Sequence, residues 1–475
     1  MSKPSIPQGT RDFSPEEVRK RQYIFDTIRN TFELYGFQQI ETPAMEKLET
    51  LTGKYGEEGD RLIFKILNNG LHEKSDADKQ KLNDEWNKIL AKPYSSPVVT
   101  ERALRYDLTI PFARYVVMHQ NDLAFPFRRY QMQPVWRADR PQKGRYREFW
   151  QCDADIVGST SLINEAELLC IYEDVFRKLN IPIVLKINSR KLLMGIAEIC
   201  GVPDKLMDIT IALDKIDKIG WSGVKELLSK EINEKAVDII EQLIKNTSHP
   251  DSGNSIDGRL AILNALKPGM QNSKIGIEGI GEIEQTLNCY NSLRNQAGQF
   301  DNNFKIEFSI SLARGLTYYT GVIMEVTATG VQMGSIGGGG RYDDLTGLFG
   351  LKGISGVGIS FGIDRIYDVL EELKLFPQQI AAGTQVLIVN FGGENESYAL
   401  SVLQQLRAEK IIAEIYPDTV KFDKQLKYAN KKGIKYILEI KEDSAKGEKR
   451  ISLKSFEQKH DMLTIKECVD LIKNS

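Results

Sequence analysis

The chain has 475 residues, a formal net charge of −2, and 41% hydrophobic and 27% charged residues. This length predicts about three domains of an ordinary globular protein. Because the charge is nearly balanced, a polyanionic ligand must be met by local basic patches rather than by a global field. The five cysteines are dispersed without a CxxC pair, which argues against a disulfide framework and against a thiolate zinc site.

The N-terminus and the hydropathy pattern bear on the compartment. The opening stretch, MSKPSIPQGTRDFSPEE, lacks the apolar core of a signal peptide, and no run of about 18 apolar residues occurs. We therefore expect a cytoplasmic protein without a membrane span.

The first predicted element is a helix. Residues 14–17, SPEE, form a capping box with proline at the first helical position. Apolar side chains on one face then predict a helix to about Tyr35, followed by a short strand that stops at Pro43. The apolar face either packs on its own core or forms the seam of a dimer.

Three stretches precede the middle of the chain. Residues 61–67 predict a strand, and the charged residues 72–92 predict an exposed helical or loop insertion. Residues 104–111, LRYDLTIP, predict a junction between a strand and a helix. Asp107 and Thr109 are two positions apart and would point to the same side of a strand. Alternatively, Asp107 caps the helix that follows.

Residues 127–158 are the most informative stretch. Alternating apolar and polar residues predict two strands joined by a long loop, RPQKGR. The arginines of this hairpin are Arg128, Arg129, Arg137, Arg140, Arg145 and Arg147. Guanidinium forks grip phosphate oxygens, and Phe149 offers a face to an attached base, so the hairpin suits a polyphosphate. A solvated basic edge strand is the alternative.

A helical region follows at about 190–303, which is typical of a domain inserted between two halves of a sheet. From Phe304 the strand pattern returns as a hairpin joined near Gly315. Within it, Arg314 follows an apolar run and needs a buried anion, either a ligand or a structural carboxylate. The aromatic pair Tyr318 and Tyr319 beside it favours a ligand.

Two glycine-rich stretches come next. Gly337 to Gly340 stand between strand-like residues and a helix-like run, which favours close backbone approach to a ligand over a linker. Residues 356–365 predict a strand that enters a helix, with Arg365 in the first turn. An arginine at that place suits a phosphate or a purine.

The C-terminal part predicts a separate domain. Residues 377–383 predict a linker, and strands alternate with helices along 384–475. Lysines recur every three or four positions at Lys421, Lys424, Lys427, Lys431 and Lys435. This basic face is either solvated or a contact for nucleic acid.

In this order, the stretches resemble the histidyl-tRNA synthetase family of class II aminoacyl-tRNA synthetases. Class II motif 1 is similar to residues 36–43, motif 2 to VWRAD at 135–139 with its loop and Phe149, and motif 3 to residues 356–365. Family-specific stretches are similar to LARGLTYY at 312–319, GGGRYD at 338–343, RYDLT at 105–109 and RPQKGRYREF at 140–149.

The resemblance implies an α+β fold with a class II antiparallel catalytic sheet flanked by helices, a helical insertion and a C-terminal α/β anticodon-binding domain. It places the catalytic domain at 1–189 and 304–376, the insertion at 190–303, a linker at 377–383 and the anticodon-binding domain at 384–475. It also implies a homodimer with motif 1 at the seam.

The implied reaction joins L-histidine and ATP to histidyl-adenylate and pyrophosphate, and then moves histidine to the 3′ end of tRNA(His). Mg²⁺ should bridge the phosphates, although the sequence assigns it no ligand. For ATP, the resemblance implies that Arg137 holds the α-phosphate and Arg145 the γ-phosphate. Phe149 and Arg365 would enclose adenine, and Asp139 belongs to the same ATP-binding motif.

For histidine, the resemblance implies that Asp107 and Thr109 take the α-ammonium group and that Gln151 holds the amino acid. Asp155, together with Tyr318 or Tyr319, would read the two imidazole nitrogens, one a donor and one an acceptor. Arg314 would be the electrophilic catalyst, acting with Arg137 at the carboxylate that attacks the α-phosphorus.

The sequence also departs from the family. Thr317 stands where the family commonly has an acid, Asp155 stands where many bacterial members carry Glu, and residues 71–98 are longer than usual. The rival prediction is a non-catalytic paralogue that acts as a regulatory or RNA-binding subunit. Arg314, the motif arginines and the C-terminal domain count against it.

Overall fold

The computed structural model folds into two compact units. It describes residues 3–53, 56–91, 95–247, 256–295, 303–313, 318–377, 380, 383–443, 447–455 and 458–474, the side chains of 56–58, 256, 257 and 295 excepted. One unit comprises Met1–Asp12 and Ile24–Leu375, and the other comprises Phe13–Tyr23 and Phe376–Ser475.

Helices and strands are numbered separately in chain order. The helices are α1 (Pro15–Leu34), α2 (Leu48–Leu51), α3 (Gly56–Arg61), α4 (Asp76–Ala91), α5 (Thr109–Met118), α6 (Ile163–Lys178), α7 (Arg190–Ile199), α8 (Leu206–Leu213), α9 (Ile216–Glu231), α10 (Glu234–Thr247), α11 (Ile256–Met270), α12 (Lys274–Asn295), α13 (Ile363–Glu372), α14 (Asn395–Ala408), α15 (Phe422–Lys432) and α16 (Ile465–Lys473). The strands are β1 (Gln38–Gln39), β2 (Met45–Lys47), β3 (Lys65–Ile66), β4 (Arg102–Leu104), β5 (Phe127–Trp136), β6 (Glu148–Val157), β7 (Ile183–Ser189), β8 (Phe304–Phe308), β9 (Val322–Ala328), β10 (Gly337–Asp343), β11 (Ser355–Gly362), β12 (Val386–Ile388), β13 (Ala413–Ile415), β14 (Tyr436–Asp443), β15 (Glu448–Lys454) and β16 (Lys459–Leu463).

An eight-stranded sheet organises the first unit, in the order β1-β5-β6-β11-β10-β9-β7-β8. Its inner strands are antiparallel, as the sequence predicts. The two outermost pairs, β1 with β5 and β7 with β8, are parallel. The large sheet is therefore antiparallel in its centre and mixed as a whole.

The hairpin predicted at 127–158 is confirmed. β5 and β6 pair from Phe127 opposite Val157 to Trp136 opposite Glu148. Each strand has a sheet neighbour on both sides. The alternative of a solvated basic edge strand is wrong for Arg129, which is fully buried in β5, whereas Arg137, Arg140, Arg145 and Arg147 lie in the loop between the two strands.

The prediction of a hairpin from Phe304 onward is wrong. β8 and β9 both bond to β7, β8 in parallel and β9 antiparallel, so β7 lies between them. Because a strand exposes hydrogen-bonding groups on two edges, one central strand can satisfy both neighbours. Gly337 to Gly340, placed by the sequence between a strand and a helix, belong to β10 itself.

The two faces of the sheet differ, and β11 shows why. Phe361 is buried and packs its ring against Phe32 at 5.8 Å and against Tyr172 at 4.8 Å between centroids. Along β11, Gly358 and Ser360 are an odd number of positions from Phe361 and therefore face the opposite side of the sheet. One face is thus covered by helices, and the opposite face is open to a cavity.

The predicted first helix is confirmed with its cap. The Ser14 hydroxyl accepts from Glu17 N at 3.3 Å, while the Glu17 carboxylate accepts from Ser14 N at 2.6 Å. The strand after it is only two residues long. The charged insertion forms α4, which buries none of its residues.

Helices α7 to α12 occupy the region that was predicted to be helical. α9 is interrupted at Gly220, whose backbone is not helical, and α7 and α12 approach closely where Gly195 meets Gly276. Buried ion pairs join Arg294 of α12 to Glu173 and Asp174 of α6 at 2.5 and 3.0 Å.

The second unit contains a five-stranded sheet in the order β13-β12-β14-β15-β16. The predicted alternation is confirmed for β12 to β14, which are parallel and separated by α14 and α15. The antiparallel β15 and β16 and the helix α16 were missed. The predicted basic residues Lys421, Lys424, Lys427, Lys431 and Lys435 are all exposed, but Lys421 precedes α15 and Lys435 follows its end.

Candidate active site

A cavity of about 250 Å³ lies on the open face of the large sheet. It collects the residues that the sequence singled out, namely Asp107, Thr109, Arg137, Asp139, Arg145, Phe149, Gln151, Asp155, Tyr318, Tyr319 and Arg365. Arg314 and Thr317 lie outside the described residues. Residues more than 250 positions apart in the chain therefore line one cavity.

Strand alternation places one row of polar residues along the cavity. Gln151, Asp153 and Asp155 on β6 are two apart and point to the same face. Opposite them on β11 stand Gly362, Ser360 and Gly358, respectively. Gln151 donates from Nε2 to Ser360 Oγ at 2.8 Å. The row is thus tied to its neighbouring strand.

Glycines form the floor because no side chain fits there. A Cβ on Gly339 would stand 2.0 Å from the carbonyl oxygen of Gly358. A Cβ on Gly358 would stand 2.0 Å from Asp155 Oδ1. Glycine at these positions lets adjacent strands and the acid approach closely, in line with the close approach predicted from sequence, although the cause observed is packing within the protein.

One end of the cavity is basic. The Arg137 guanidinium lies 5.2 Å from the centre of the Phe149 ring and donates from Nε to Tyr106 O at 3.1 Å. Arg365 donates from Nε to Gly144 O at 2.7 Å. Burial, followed by the proximity of Arg145 and Arg137, lowers the pKa of Arg365. The positive charges of these arginines would attract an anion to this end of the cavity.

The other end is acidic and aromatic. Asp107 Oδ1 accepts from Ile110 N at 3.2 Å at the start of α5, so the predicted capping role and the position in the cavity both hold. Tyr318 shares a hydrogen bond with the Thr109 side chain, and burial raises the pKa of Tyr318 well above its ordinary value. A cationic group would be favoured here.

Asp155 is held from two sides by residues that the sequence did not assign to the site. Its Oδ2 lies 2.7 Å from Arg129 Nη2, and its Oδ1 accepts from Tyr342 OH at 2.5 Å. Burial raises the pKa of Asp155, and Arg129 followed by Tyr342 opposes that shift. Arg129 follows Arg128 and precedes Gln131 and Gln133, so its neighbours in the chain do not indicate that it is buried.

The N-terminal segment holds the loop between β5 and β6. The Arg11 guanidinium lies 3.4 Å from the centre of the Tyr146 ring and pairs with Asp364. Asp364 Oδ2 also accepts from Trp150 N at 3.0 Å. Arg147 N donates to the carbonyl oxygen of Gly9 at 2.8 Å. Sequence patterns gave no signal for this arrangement.

Comparison with known proteins identifies the lineage. The family model described as histidyl-tRNA synthetase matches residues 9–74 and 99–366. The chain belongs to the histidyl-tRNA synthetase family. An anticodon-binding domain model matches residues 385–475. Residues 75–98, which the family model does not match, contain α4. This agrees with the prediction that the chain is longer than usual for this family at residues 71–98.

Relatives extend over nearly the whole chain. A histidine–tRNA ligase of Bacteroides fragilis is 51% identical over 469 residues and covers 98% of each protein. That of Christiangramia forsetii is 52% identical over 463 residues, or 96% of this chain and 95% of the relative. The crystal structure of histidyl-tRNA synthetase from Nostoc sp. PCC 7120 covers 100% of both chains with 31% identity and a TM-score of 0.78. The non-catalytic alternative is not favoured by these relatives.

Two further findings concern the described ranges alone. No helix in them has the length and apolar character needed to cross a membrane. Within the same ranges, no cluster of three or more His, Cys, Asp or Glu side chains is placed to hold a metal ion.

Proposed function

We propose that this chain is a histidine–tRNA ligase that activates L-histidine with ATP and transfers it to tRNA(His). The observation that carries the proposal is one cavity with an arginine end and an acidic end, in a chain about half identical to curated histidine–tRNA ligases. Such a cavity suits a nucleotide and a cationic amino acid brought together for in-line attack.

ATP would occupy the arginine end. Arg137 would hold the α-phosphate and Arg145, half exposed beside Asp139, the γ-phosphate. Phe149 and Arg365 would enclose the adenine ring by stacking. Magnesium would be carried chiefly on the phosphate oxygens and would neutralise their charge. This assignment gives the converging charges of Arg137, Arg145 and Arg365 an anionic partner.

Histidine would occupy the acidic end. Asp107, Thr109 and Gln151 would hold its α-ammonium group and backbone, because a cation needs an acid and neutral acceptors. Asp155 and the paired tyrosines Tyr318 and Tyr319 would surround the imidazole ring. The histidine carboxylate would then face Arg137, which is half-buried and would stabilise charge as the α-phosphorus is attacked.

Arg314 would supply the electrophilic assistance in this reaction. Loss of such a donor typically costs about 3 kcal/mol or more in the transition state. The chain would act as a cytoplasmic homodimer with residues 36–43 at the seam, and 190–303 would form a distinct insertion domain. The exposed lysines of α15 would contact the tRNA.

Histidine-dependent exchange of pyrophosphate into ATP tests the proposal. We expect exchange in the unaltered chain, at least a hundredfold less in Arg314→Ala, and unchanged exchange in Arg128→Ala. Arg128 is the matched control, because it belongs to the same hairpin region but pairs with Glu167 outside the cavity. A folded chain that catalyses no exchange would contradict the assignment.

A further inference from the structure

Asp153 is a third acid at the histidine end of the cavity, and the proposed mechanism gives it no role. It stands between Gln151 and Asp155 on β6, lines the cavity and is only 3% exposed. Its Oδ1 accepts no hydrogen bond from any of the described residues. A buried carboxylate oxygen without a donor is costly unless a ligand supplies one.

The partner strand does not supply that donor. Gln131 stands directly opposite Asp153 on β5 and is fully buried. Its Nε2 is already committed, donating to Thr42 Oγ1 at 2.8 Å and to Gln133 Oε1. The amide of Gln131 is therefore directed away from Asp153.

Arg129 is likewise directed elsewhere. Its Nη2 lies 2.7 Å from Asp155 Oδ2, and its Nη1 donates to Gln131 Oε1 at 3.3 Å. Asp155 thus has a cation, and its other oxygen accepts from Tyr342. Asp155 Oδ2 likewise accepts no hydrogen bond within the described residues, but it has the Arg129 guanidinium beside it, whereas Asp153 Oδ1 has neither a donor nor an ion pair there.

The charges around Asp153 tune its protonation. Burial raises the pKa of Asp153 to about 7, with Asp155 and Asp107 adding to the shift, while Arg129 and a hydrogen bond with Ser360 oppose it. Tyr318 is the further titratable group that faces it. Free imidazole titrates at about 6.5, close to this value. A carboxyl and a ring of similar proton affinity can hold one proton between them.

We propose that Asp153 is a specificity-determining residue that contacts a ring nitrogen of bound histidine and shares a single proton with the imidazole. This inference rests on the proposed function. It predicts rejection of amino acids with an apolar ring, since such a ring would leave Asp153 buried without a partner. Asp155 then acts beside it, with its orientation set by Arg129 and Tyr342.

Proton uptake on binding is the decisive measurement. Histidine is titrated into the whole chain by calorimetry at pH 6 and pH 8, each in two buffers of different ionisation enthalpy. At pH 8 the free carboxyl and the free ring are both mostly deprotonated, so forming the complex should take up about one proton. At pH 6 both are mostly protonated, and the complex should release most of one proton.

Asp153→Asn should abolish the uptake at pH 8 and weaken histidine binding about ten- to a hundredfold at pH 7. Glu148→Gln is the matched control. Glu148 is an exposed acid at the start of the same strand, accepts from Trp136 Nε1 and does not line the cavity, so its loss should leave the proton uptake unchanged. ATP binding to each variant checks that the cavity is folded. If Asp153→Asn fails to fold, Asp153→Glu keeps the acid and should retain the uptake with weaker affinity.

The outcomes distinguish failure of the role proposed for Asp153 from failure of the ligase assignment. Equal proton uptake at pH 8 in the unaltered chain and in folded Asp153→Asn would overturn the role of Asp153. The same holds if the unaltered chain binds histidine without proton uptake at pH 8. In either case, histidine-dependent pyrophosphate exchange would leave the ligase assignment standing. Failure of the unaltered chain to bind histidine would overturn both.

Discussion

Arg129 and Asp155 form an ion pair of 2.7 Å in which neither side chain has more than 3% of its surface exposed. The Arg129 guanidinium also lies 4.1 Å from the centre of the Phe112 ring. An acid at the bottom of the cavity is thus fixed from below by a residue that does not line the cavity itself. Its position is set before any substrate enters.

Breaking this pair should be strongly destabilising. We expect Arg129→Met to lower the free energy of unfolding by about 3–5 kcal/mol, because it leaves a buried carboxylate without its cation. Arg128→Met is the control, since Arg128 pairs with Glu167 at a partly exposed site, where a pair is worth about 0–1 kcal/mol. Urea unfolding followed by circular dichroism measures both. Equal losses for the two variants would contradict the importance of the buried pair.

The raised pKa of Asp153 makes stability depend on pH. Its unfolded-state pKa is about 3.9 and its folded-state pKa about 7, so the folded chain holds a proton that the unfolded chain has released in between. The stability that protonated Asp153 gives the folded chain is therefore lost as the pH rises from its unfolded-state pKa through its folded-state pKa.

Comparison with Asp153→Asn isolates this contribution. Without ligands, the unaltered chain should lose about 2 kcal/mol relative to Asp153→Asn between pH 5 and pH 7. Urea midpoints at pH 5, 6, 7 and 8 provide the measurement. Parallel pH profiles for the two chains would show that Asp153 titrates near its ordinary value.

A methyl group on the cavity floor should disturb histidine binding. In Gly358→Ala the new Cβ would stand 2.0 Å from Asp155 Oδ1 and must displace that side chain. We expect the KM for histidine in pyrophosphate exchange to rise at least tenfold. Gly281→Ala is the control, because nothing lies within 4 Å of its Cβ in α12, and alanine should stabilise that helix by up to about 1 kcal/mol. An unchanged KM in folded Gly358→Ala would contradict the tight fit.

The N-terminal segment should affect ATP more than histidine. Arg11→Ala removes the contact with Tyr146 and the ion pair with Asp364, both of which line the cavity. We expect the KM for ATP to rise about tenfold, with the KM for histidine nearly unchanged. Lys143→Ala is the control, because this exposed lysine pairs with Glu372 at the surface and its loss should have little effect. Equal changes in both KM values would indicate general loosening instead.

The sequence predicted individual helices and strands better than it predicted which strands pair with one another. The capping box at Ser14 and the alternation of β5 and β6 are short-range signals, and both elements are present. Insertion of β7 between β8 and β9 is a long-range pairing, and adjacent strands in a sequence carry no record of a third strand between them. Prediction therefore failed where pairing partners are distant in the chain.

The candidate site shows the same limit. Motif residues such as Asp107, Gln151 and Arg365 were found because family resemblance marks them. Arg129 and Tyr342 reach Asp155 only through the sheet, from positions 26 residues before it and 187 after it. Asp153 was within reach of sequence reasoning, since it is the middle member of an alternating row.

The glycine floor also limits how the protein can change over generations. Any substitution at Gly339 adds at least a methyl group, and the nearest atom to that methyl is a main-chain oxygen rather than a side chain that another substitution could shorten. A second substitution elsewhere therefore cannot relieve the clash, because every residue has this main-chain oxygen. Variation in substrate preference among descendants of this chain would have to arise in the acids and arginines above the floor, while the floor itself is inherited as it is or lost with the fold.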